Sequence, residues 1–190
     1  ADRPGILEFR TWVAEHLHQQ YGLKVDPKEV TITCGSTEAR YVALTIFLET
    51  GSQVLCPGDA TLIAATTQLL GSSVVKSVTD PQKVRVIYLT PDDHDEMVSD
   101  LLQQAVQYGW WVIWDVSYAR RQCTFHPAKQ EALARRVVTI DSLSEHMAGW
   151  RIGWIAGSEA ALRIRAFKQS ITICTTNVSQ WAALEFVRSR

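Results

Sequence analysis

Apolar residues along the chain follow two different spacings, which predict an alternation of helices and strands. From Ile6 to Leu17 they recur every three or four positions, the period of an amphipathic helix, and Gly22 marks its end. Seven short apolar runs predict strands at 30–34, 53–56, 73–78, 84–89, 110–115, 137–141 and 152–156. Further helical patterns lie near 36–47, 60–70, 96–107, 127–135, 158–170 and 178–189.

The predicted strands lack a strict alternation of apolar and polar residues, which indicates a sheet with both faces buried. Strands alternating with helices favour an α/β fold of three layers, with helices on both faces of a mostly parallel sheet of about seven strands. No internal repeat, low-complexity tract or linker rich in Pro, Gly or Ser interrupts the sequence. We therefore expect residues 1–190 to form a single domain.

Composition and charge exclude several broad classes of protein. With 46% hydrophobic residues and a formal net charge of -1, the chain is not an intrinsically disordered one. Its 19 basic residues balance 20 acidic ones, so we expect no binding to nucleic acid through bulk charge. The apolar runs fall far short of the ~20 residues that span a bilayer, and no signal-peptide pattern opens the chain. We expect a cytoplasmic protein with no membrane partner.

The cysteines and histidines give no sign of a metal site. Cys34, Cys56, Cys123 and Cys174 are widely scattered, which is typical of free thiols in a reducing compartment. The five histidines do not have the spacing of metal ligands. We expect no bound metal.

The segment after the first predicted strand is a candidate anion site. Ligands of parallel α/β sheets bind at the carboxyl ends of the strands. Gly35, Ser36 and Thr37 lie there at the start of a helix, where free N–H groups, two hydroxyls and the helix N-terminus favour a phosphate. An ordinary helix cap is the alternative interpretation.

A second set of anion-binding groups follows a later strand. Ser142 and Ser144 come directly after the run 137–141, and Arg151 lies a few residues on. Two hydroxyls and a guanidinium can close a phosphate site from the other side. A structural ion pair is the alternative role for Arg151.

A carboxylate ends the most apolar strand. Asp115 follows the run 110–114, and such a group is costly to bury unless a cation or several donors meet it. A protonated ring nitrogen of a bound cofactor would meet that need, and the Tyr118 hydroxyl would lie nearby. A capping carboxylate at a strand end is the alternative.

Taken together and in this order, these segments resemble the large domain of class I/II aminotransferases, the fold-type I enzymes that use pyridoxal phosphate. The resemblance covers nearly the whole chain. It is carried by Gly5-Ile6-Leu7-Glu8-Phe9-Arg10, Ile32-Thr33-Cys34-Gly35-Ser36-Thr37-Glu38-Ala39, Gly51-Ser52-Gln53-Val54-Leu55-Cys56-Pro57, Asp115-Val116-Ser117-Tyr118, Asp141-Ser142-Leu143-Ser144, Gly149-Trp150-Arg151-Ile152-Gly153-Trp154 and Ser179-Gln180-Trp181-Ala182-Ala183.

The resemblance implies a role for each candidate residue. Asp115 would pair with the pyridinium nitrogen of the cofactor, and Tyr118 would bond its 3-oxygen. The groups that would surround the phosphate are Gly35, Ser36, Thr37, Ser142, Ser144 and Arg151. The family also builds its sites across a dimer interface, which implies a homodimer.

Three positions depart from the family pattern. Glu145 falls where the family has its Schiff-base lysine, and a carboxylate cannot form a Schiff base. Asp93 falls on the asparagine that bonds the 3-oxygen, and the aromatic residue that stacks on the ring falls near Thr61. The stretch from Glu145 to Arg151 is shorter than usual. The N-terminal arm and the C-terminal small domain of the family are expected to be absent.

These departures leave three functional hypotheses. The first is a domain that binds pyridoxal or pyridoxamine 5′-phosphate without a covalent bond, with standard transamination lost or impaired. The second is a catalytically inactive scaffold that acts through a protein partner or through dimerisation. The third is an enzyme with a changed mechanism, in which Glu145 or His146 transfers protons on a pyridoxamine-type cofactor.

Overall fold

The computed structural model describes residues 3–189 of the chain. The helices are α1 (Leu7–Tyr21), α2 (Gly35–Phe47), α3 (Ala64–Leu69), α4 (Asp95–Tyr108), α5 (Ser144–Met147), α6 (Ala161–Thr172) and α7 (Asn177–Arg188). The strands are β1 (Val30–Thr33), β2 (Gln53–Leu55), β3 (Ser73–Val75), β4 (Val84–Leu89), β5 (Trp111–Asp115), β6 (Val137–Ser142) and β7 (Gly153–Ala156).

All seven strands join one sheet in the order β1-β7-β6-β5-β4-β2-β3. The pairs within the block from β6 to β3 are parallel, whereas β7 runs antiparallel to both of its neighbours, β1 and β6. The prediction of a mostly parallel, seven-stranded sheet is confirmed. Because β7 is inverted, its first residues lie at the same edge of the sheet as the carboxyl ends of the other strands.

Helices cover both faces of the sheet and complete three layers. On one face, α2, α3 and α6 pack over alternate strand residues, among them Val86, Ile113 and Val138. On the other face, α1 and α7 cover β1 and β7, while α4 covers the centre around Val112. Successive side chains of a strand point to opposite faces, so both faces of this sheet are apolar, as the sequence pattern predicts.

Two predicted helices are shorter than expected. The pattern at 127–135 forms two 3₁₀ turns, Pro127–Lys129 and Glu131–Leu133, because Gln130 adopts an extended backbone between them. The pattern at 60–70 yields only α3. Its first residues are held in a turn, since the Asp59 carboxylate accepts hydrogen bonds from the N–H and the hydroxyl of Thr61. Within residues 3–189, no helix is long and apolar enough to cross a membrane.

Gln180 fastens α7 to the start of the chain. Its side chain is fully buried, its Oε1 accepts the N–H of Ile6 at 2.8 Å, and its Nε2 donates to the carbonyl of Thr175 at 2.8 Å. The Thr175 hydroxyl in turn donates to the carbonyl of Ile32 at 2.9 Å. These bonds hold α7, the entry to α1 and strand β1 in one unit behind the anion-binding loop.

One buried histidine is committed to the neutral form. The ring of His126 is 0% exposed, its Nδ1 accepts the N–H of Ala128, and its Nε2 lies 2.9 Å from the Thr139 hydroxyl. Burial, followed by the charge of Lys129, lowers the pKa of His126 to about 3. Acid must therefore unfold or distort this corner of the molecule before the ring can take up a proton.

We predict that His126 makes folding sensitive to mild acid. Since its pKa is about 6.5 unfolded and about 3 folded, its contribution is complete above pH 6.5 and falls by up to about 1.4 kcal/mol per pH unit below it. In urea titrations between pH 7.5 and 4.5, the stability advantage of the natural protein over His126→Gln should shrink at this rate.

Other groups contribute to the same pH range but cancel in this comparison. Asp141, whose pKa is raised to about 7 in the folded protein, favours folding as the pH falls, and it is present in both proteins. A difference in stability that stays constant with pH would show that His126 is not the group responsible.

Candidate functional site

The candidate residues gather where five strand ends meet. The edge of the sheet carries, in spatial order, the residues that follow β1, precede β7, and follow β6, β5 and β4. These positions hold the segment Gly35–Thr37, the segment Ser142–Ser144, Asp115 at the end of β5, and the aspartate-rich loop 91–95. Ligands of open α/β sheets bind at this edge.

Gly35 lies in the anion-binding loop, and a larger residue here would strain the backbone and displace Arg151. Its φ of 75° lies in the left-handed region, which favours glycine. A Cβ at this position would lie 2.3 Å from Nη2 of Arg151, so the guanidinium rests directly on the backbone of the loop. Arg151 itself has a φ of 53° and donates weakly to the carbonyl of Ala148. The loop and the arginine are therefore one packed unit.

The hydroxyl groups around this loop differ in their partners. Ser36 is 0% exposed, and its Oγ has no hydrogen-bond partner within the described part of the chain. Thr37 is exposed, and the N–H of Cys34 before it is capped by the Glu38 carboxylate at 2.6 Å. A buried hydroxyl without a partner is costly, so Ser36 has bonding capacity left for an anion at the start of α2.

Ser142 and Ser144 lie one strand away from this loop. Ser142 pairs in register with Gly153 of β7, and a Cβ on Gly153 would come within 2.8 Å of the N atom of Ser36. The Ser142 hydroxyl donates to that of Ser144 at 2.8 Å. The fold thus brings both predicted halves of the phosphate site to the same corner of the sheet.

A buried ion pair occupies the predicted cofactor-ring end of the site. Asp115 is 2% exposed, and its Oδ2 accepts from Nε of Arg40 at 2.6 Å and from the Tyr88 hydroxyl at 2.6 Å. Its Oδ1 accepts from both the N–H and the hydroxyl of Ser117, at 3.0 and 2.6 Å. Nη2 of Arg40 also donates to the Ser117 hydroxyl at 2.7 Å.

These contacts fill the bonding capacity of the carboxylate from inside the protein. Each oxygen of Asp115 has two donors, which is about the full capacity of an ionised carboxylate. Burial alone would lower the pKa of Arg40, but the charge of Asp115, together with Tyr88 and the hydrogen bonds to both residues, outweighs burial, and the pKa is raised. Burial, followed by the Asp115 charge, raises the pKa of Tyr88, so its hydroxyl remains a donor. The cation that Asp115 requires is Arg40.

A cavity of about 410 Å³ lies beside this ion pair on the α2 face of the sheet. It is lined by Thr61, Asp93, Asp115 and Tyr118, among others. Oδ2 of Asp93 accepts from the N–H of Thr90 at 2.7 Å, and burial raises the pKa of the Asp93 carboxyl. The half-exposed ring of Tyr118 has the Arg40 guanidinium 5.3 Å from its centre, a cation–π contact.

Glu145 lies in a different place from the ion pair. It is exposed at the start of α5 and lines a second cavity on the opposite, α1 face of the sheet, together with Ser142. His146 lies in the same second cavity, with its ring 5.8 Å from that of Phe186. The structure therefore does not place Glu145 in the cavity that Asp93, Asp115 and Tyr118 line.

Sequence reasoning missed Arg40, Tyr88 and Ser117. A signal for Arg40 was present: together with Ser36, Ala43 and Phe47 it repeats at helical spacing, so it falls on the buried side of α2. A charged residue at such a position requires a buried counter-ion. Tyr88 carried no comparable signal, because only the pairing of β4 with β5 brings it to the carboxylate. Ser117 bonds Asp115 from two residues further along the chain, a local turn that the sequence analysis did not consider.

Within residues 3–189, no group of three or more His, Cys, Asp or Glu side chains is placed to hold a metal ion. The side chains described at this edge are hydroxyls, two guanidinium groups and carboxylates.

The sequence of this chain is similar to that of known aminotransferases. Residues 1–58 match the family model for aminotransferases of class I and II. The chain is 24% identical to a probable aspartate/prephenate aminotransferase of Thermus aquaticus, covering 98% of this chain and 56% of that protein. It is 25% identical to the methionine aminotransferase of Escherichia coli, covering 100% of this chain and 57% of that protein. The chain thus spans about half the length of these curated relatives.

The fold comparison agrees. The crystal structure of an aromatic aminotransferase from Pyrococcus horikoshii superimposes with a TM-score of 0.85 at 23% identity, covering 99% of this chain and 59% of that one. The chain therefore has the α/β fold of the large domain of these aminotransferases. In sequence, it is similar to the class I/II aminotransferases.

The two ends of the site differ in how well they suit the expected pyridoxal phosphate. The phosphate end fits, since the Gly35 loop, the unpartnered Ser36 hydroxyl and the Arg151 guanidinium meet at a helix N-terminus. The ring end does not fit in the expected way. All four bonding positions of Asp115 are occupied, and the charge of Arg40 disfavours a second cation beside it.

We predict strong coupling between Arg40 and Asp115 in folding. Removing either partner leaves a buried charge unpaired, so Arg40→Leu and Asp115→Asn should each lower the free energy of unfolding by about 3–5 kcal/mol. The double variant should cost less than the sum of the two single changes, because no unpaired charge remains. Urea denaturation of all four proteins measures this difference.

An exposed ion pair provides the matched control. Arg135 donates to Glu29 at 2.9 Å at the surface, so Glu29→Gln should cost less than about 1 kcal/mol. If the loss of unfolding free energy in the double variant equalled the sum of the losses in Arg40→Leu and Asp115→Asn, the two residues would not be coupled.

Proposed function

We propose that this chain binds pyridoxal or pyridoxamine 5′-phosphate without a covalent bond, anchored by the phosphate group. The observation that carries the proposal is the buried Ser36 hydroxyl, which has no hydrogen-bond partner among residues 3–189 and follows Gly35, on whose backbone the Arg151 guanidinium rests. Phosphate oxygens would accept from this hydroxyl, from the guanidinium and from free N–H groups at the start of α2. When bound, the cofactor supplies an electrophilic aromatic ring able to withdraw electrons from an attached amine.

The missing covalent anchor follows from the proposed role of Glu145. At the position where the related family has its Schiff-base lysine, a carboxylate provides no amine for the cofactor aldehyde. The neutralisation of Asp115 by Arg40 also removes the partner that would keep a ring nitrogen protonated. Standard transamination by residues of this chain is therefore proposed to be lost or impaired, with residues 1–190 acting as a single large-domain unit.

We predict that phosphate binding depends on Ser36 and Arg151. The affinity for pyridoxamine phosphate should fall about tenfold in Ser36→Ala, because a neutral hydrogen-bond donor is lost. It should fall at least tenfold in Arg151→Ala, because the donor lost there also carries a positive charge. Ser36→Ala should leave stability unchanged or raise it, because the lost hydroxyl had no partner in the described chain. Fluorescence titration measures the affinity, and urea denaturation measures the stability.

Arg188→Ala serves as the matched control, because Arg188 is an exposed arginine of α7 away from the loop. Borohydride treatment should trap no covalent adduct with pyridoxal phosphate. Equal affinity in the Ser36 and Arg151 variants, or a trapped adduct, would refute the proposed mode of binding.

A second candidate function is a non-catalytic scaffold that forms a homodimer or binds another protein. The internal pairing of Asp115 with Arg40 favours it, because this end of the site is already satisfied without a ligand. Ile173 after α6, and Val178 and Trp181 in the first turns of α7, are each at least half exposed, which leaves apolar side chains available for protein contacts.

Sedimentation equilibrium separates the two candidates. If the scaffold function holds, the natural protein should sediment as a dimer, and Trp181→Asp should shift it to a monomer without loss of helix content. Phosphate-dependent cofactor binding by a monomer would support the first candidate and count against this one. A cytoplasmic location is part of both proposals.

A further inference from the structure

A second cavity, separate from the one beside Asp115, lies on the α1 face of the sheet. Its volume is about 440 Å³, and it sits between α1, α7 and the carboxyl end of β6. The residues that give it a chemical character are Trp12, His16, Asp141, Glu145, Trp154 and Phe186.

Strand register places an acid and an indole side by side in this cavity. Asp141 of β6 lies directly opposite Trp154 of β7 in an antiparallel pair. Directly opposed residues project to the same face with their Cβ atoms about 5 Å apart. The pair therefore forms the floor of the cavity.

The indole N–H of Trp154 lacks a partner. Trp154 is 1% exposed, and no acceptor in the described part of the chain reaches its Nε1. A buried N–H group normally has a hydrogen-bond acceptor. Because this N–H has none and Trp154 lines the cavity, we infer that a ligand in the cavity supplies the acceptor.

The walls of the cavity are aromatic. The Trp12 and His16 rings are stacked with their centres 5.0 Å apart. Each is roughly perpendicular to the Trp154 ring, at centre distances of 5.9 Å for Trp12 and 6.5 Å for His16. Phe186 of α7 closes the other side. Indole and phenyl faces attract cations as well as flat hydrocarbon groups.

The charges at the cavity favour a cation. Asp141 and Glu145 both line it, and Oδ1 of Asp141 accepts only the N–H of Ser142 at 2.6 Å. Burial, then the charges of Asp115 and Glu145, raise the pKa of Asp141 to about 7 despite that hydrogen bond. Burial lowers the pKa of His16, which keeps its ring neutral. Arg121 is already held by both oxygens of Asp95.

We propose that this cavity binds a small organic cation, an aromatic or aliphatic amine that also carries a hydrogen-bond acceptor. Its ammonium group lies by the carboxylates of Asp141 and Glu145, its hydrocarbon part lies against Trp12 and Trp154, and its acceptor takes the Trp154 N–H. This cavity does not include the loop around Gly35, although it shares Ser142 and Glu145 with the site discussed above, and binding of an amine without a phosphate tests it separately from the proposed function.

The test uses tyramine as the probe, because it combines an ammonium, an aromatic ring and an oxygen acceptor. Calorimetric titration at pH 8, where Asp141 is ionised, should give saturable binding of one tyramine per chain. 4-Ethylphenol, which lacks the ammonium, should bind at least about tenfold more weakly. 4-Hydroxyphenylacetate, with a negative charge instead, should not bind.

Variants locate the binding. Asp141→Asn should weaken tyramine about tenfold, and Asp141→Asn combined with Glu145→Gln should weaken it further. Glu159→Gln, a change at an exposed acid outside the cavity, should have no effect. Circular dichroism establishes that each variant is folded, and Trp154→Phe provides a second test that keeps the ring but removes the N–H.

Two kinds of result would overturn the inference. Equal affinities for tyramine and 4-ethylphenol would reveal an apolar cavity without preference for a cation. No saturable binding of tyramine, or unchanged binding in the folded Asp141→Asn and Trp154→Phe variants, would show that the amine does not occupy this cavity. Because no probe carries a phosphate, neither result bears on the loop around Gly35.

Discussion

The ion pair between Arg40 and Asp115 is the interaction on which the candidate site depends. It joins the second turn of α2 to the end of β5, and Tyr88 and Ser117 add β4 and the following loop to the same cluster. A buried pair of this kind is a weak source of net stability, because desolvation offsets most of the attraction. What it provides is position: with Arg40 fixed, the start of α2 and its anion-binding loop are fixed one turn away.

The same pair makes the two ends of the candidate site chemically different. The phosphate end keeps a guanidinium, a free hydroxyl and a helix N-terminus, all of which suit an anion. At the other end Arg40 neutralises Asp115, and Asp59, Asp92 and Asp93 line the adjoining cavity. The two ends therefore differ in electrostatic character.

Much of this architecture could be predicted from the sequence, and the exceptions have physical reasons. The seven strands were predictable because apolar runs of this length must be buried on both faces. The segment 127–135 was predicted as a helix and forms 3₁₀ turns, since periodicity does not reveal the extended backbone of Gln130. The need of Asp115 for a cation was foreseen, but its source within α2 was not. Glu145, expected at the position of the family's lysine, lines the cavity on the α1 face, because its direction depends on the path of the short helix α5.

The alternation of side chains across the sheet has a further consequence for Asp115 and Asp141. They end adjacent parallel strands yet point to opposite faces, one toward Arg40 and the other toward Trp154. Their charges still repel through the sheet, and Asp115 contributes to the raised pKa of Asp141. A change in the charge balance around Asp115 therefore alters the proton affinity of Asp141 in the cavity on the other face, without any movement of the backbone.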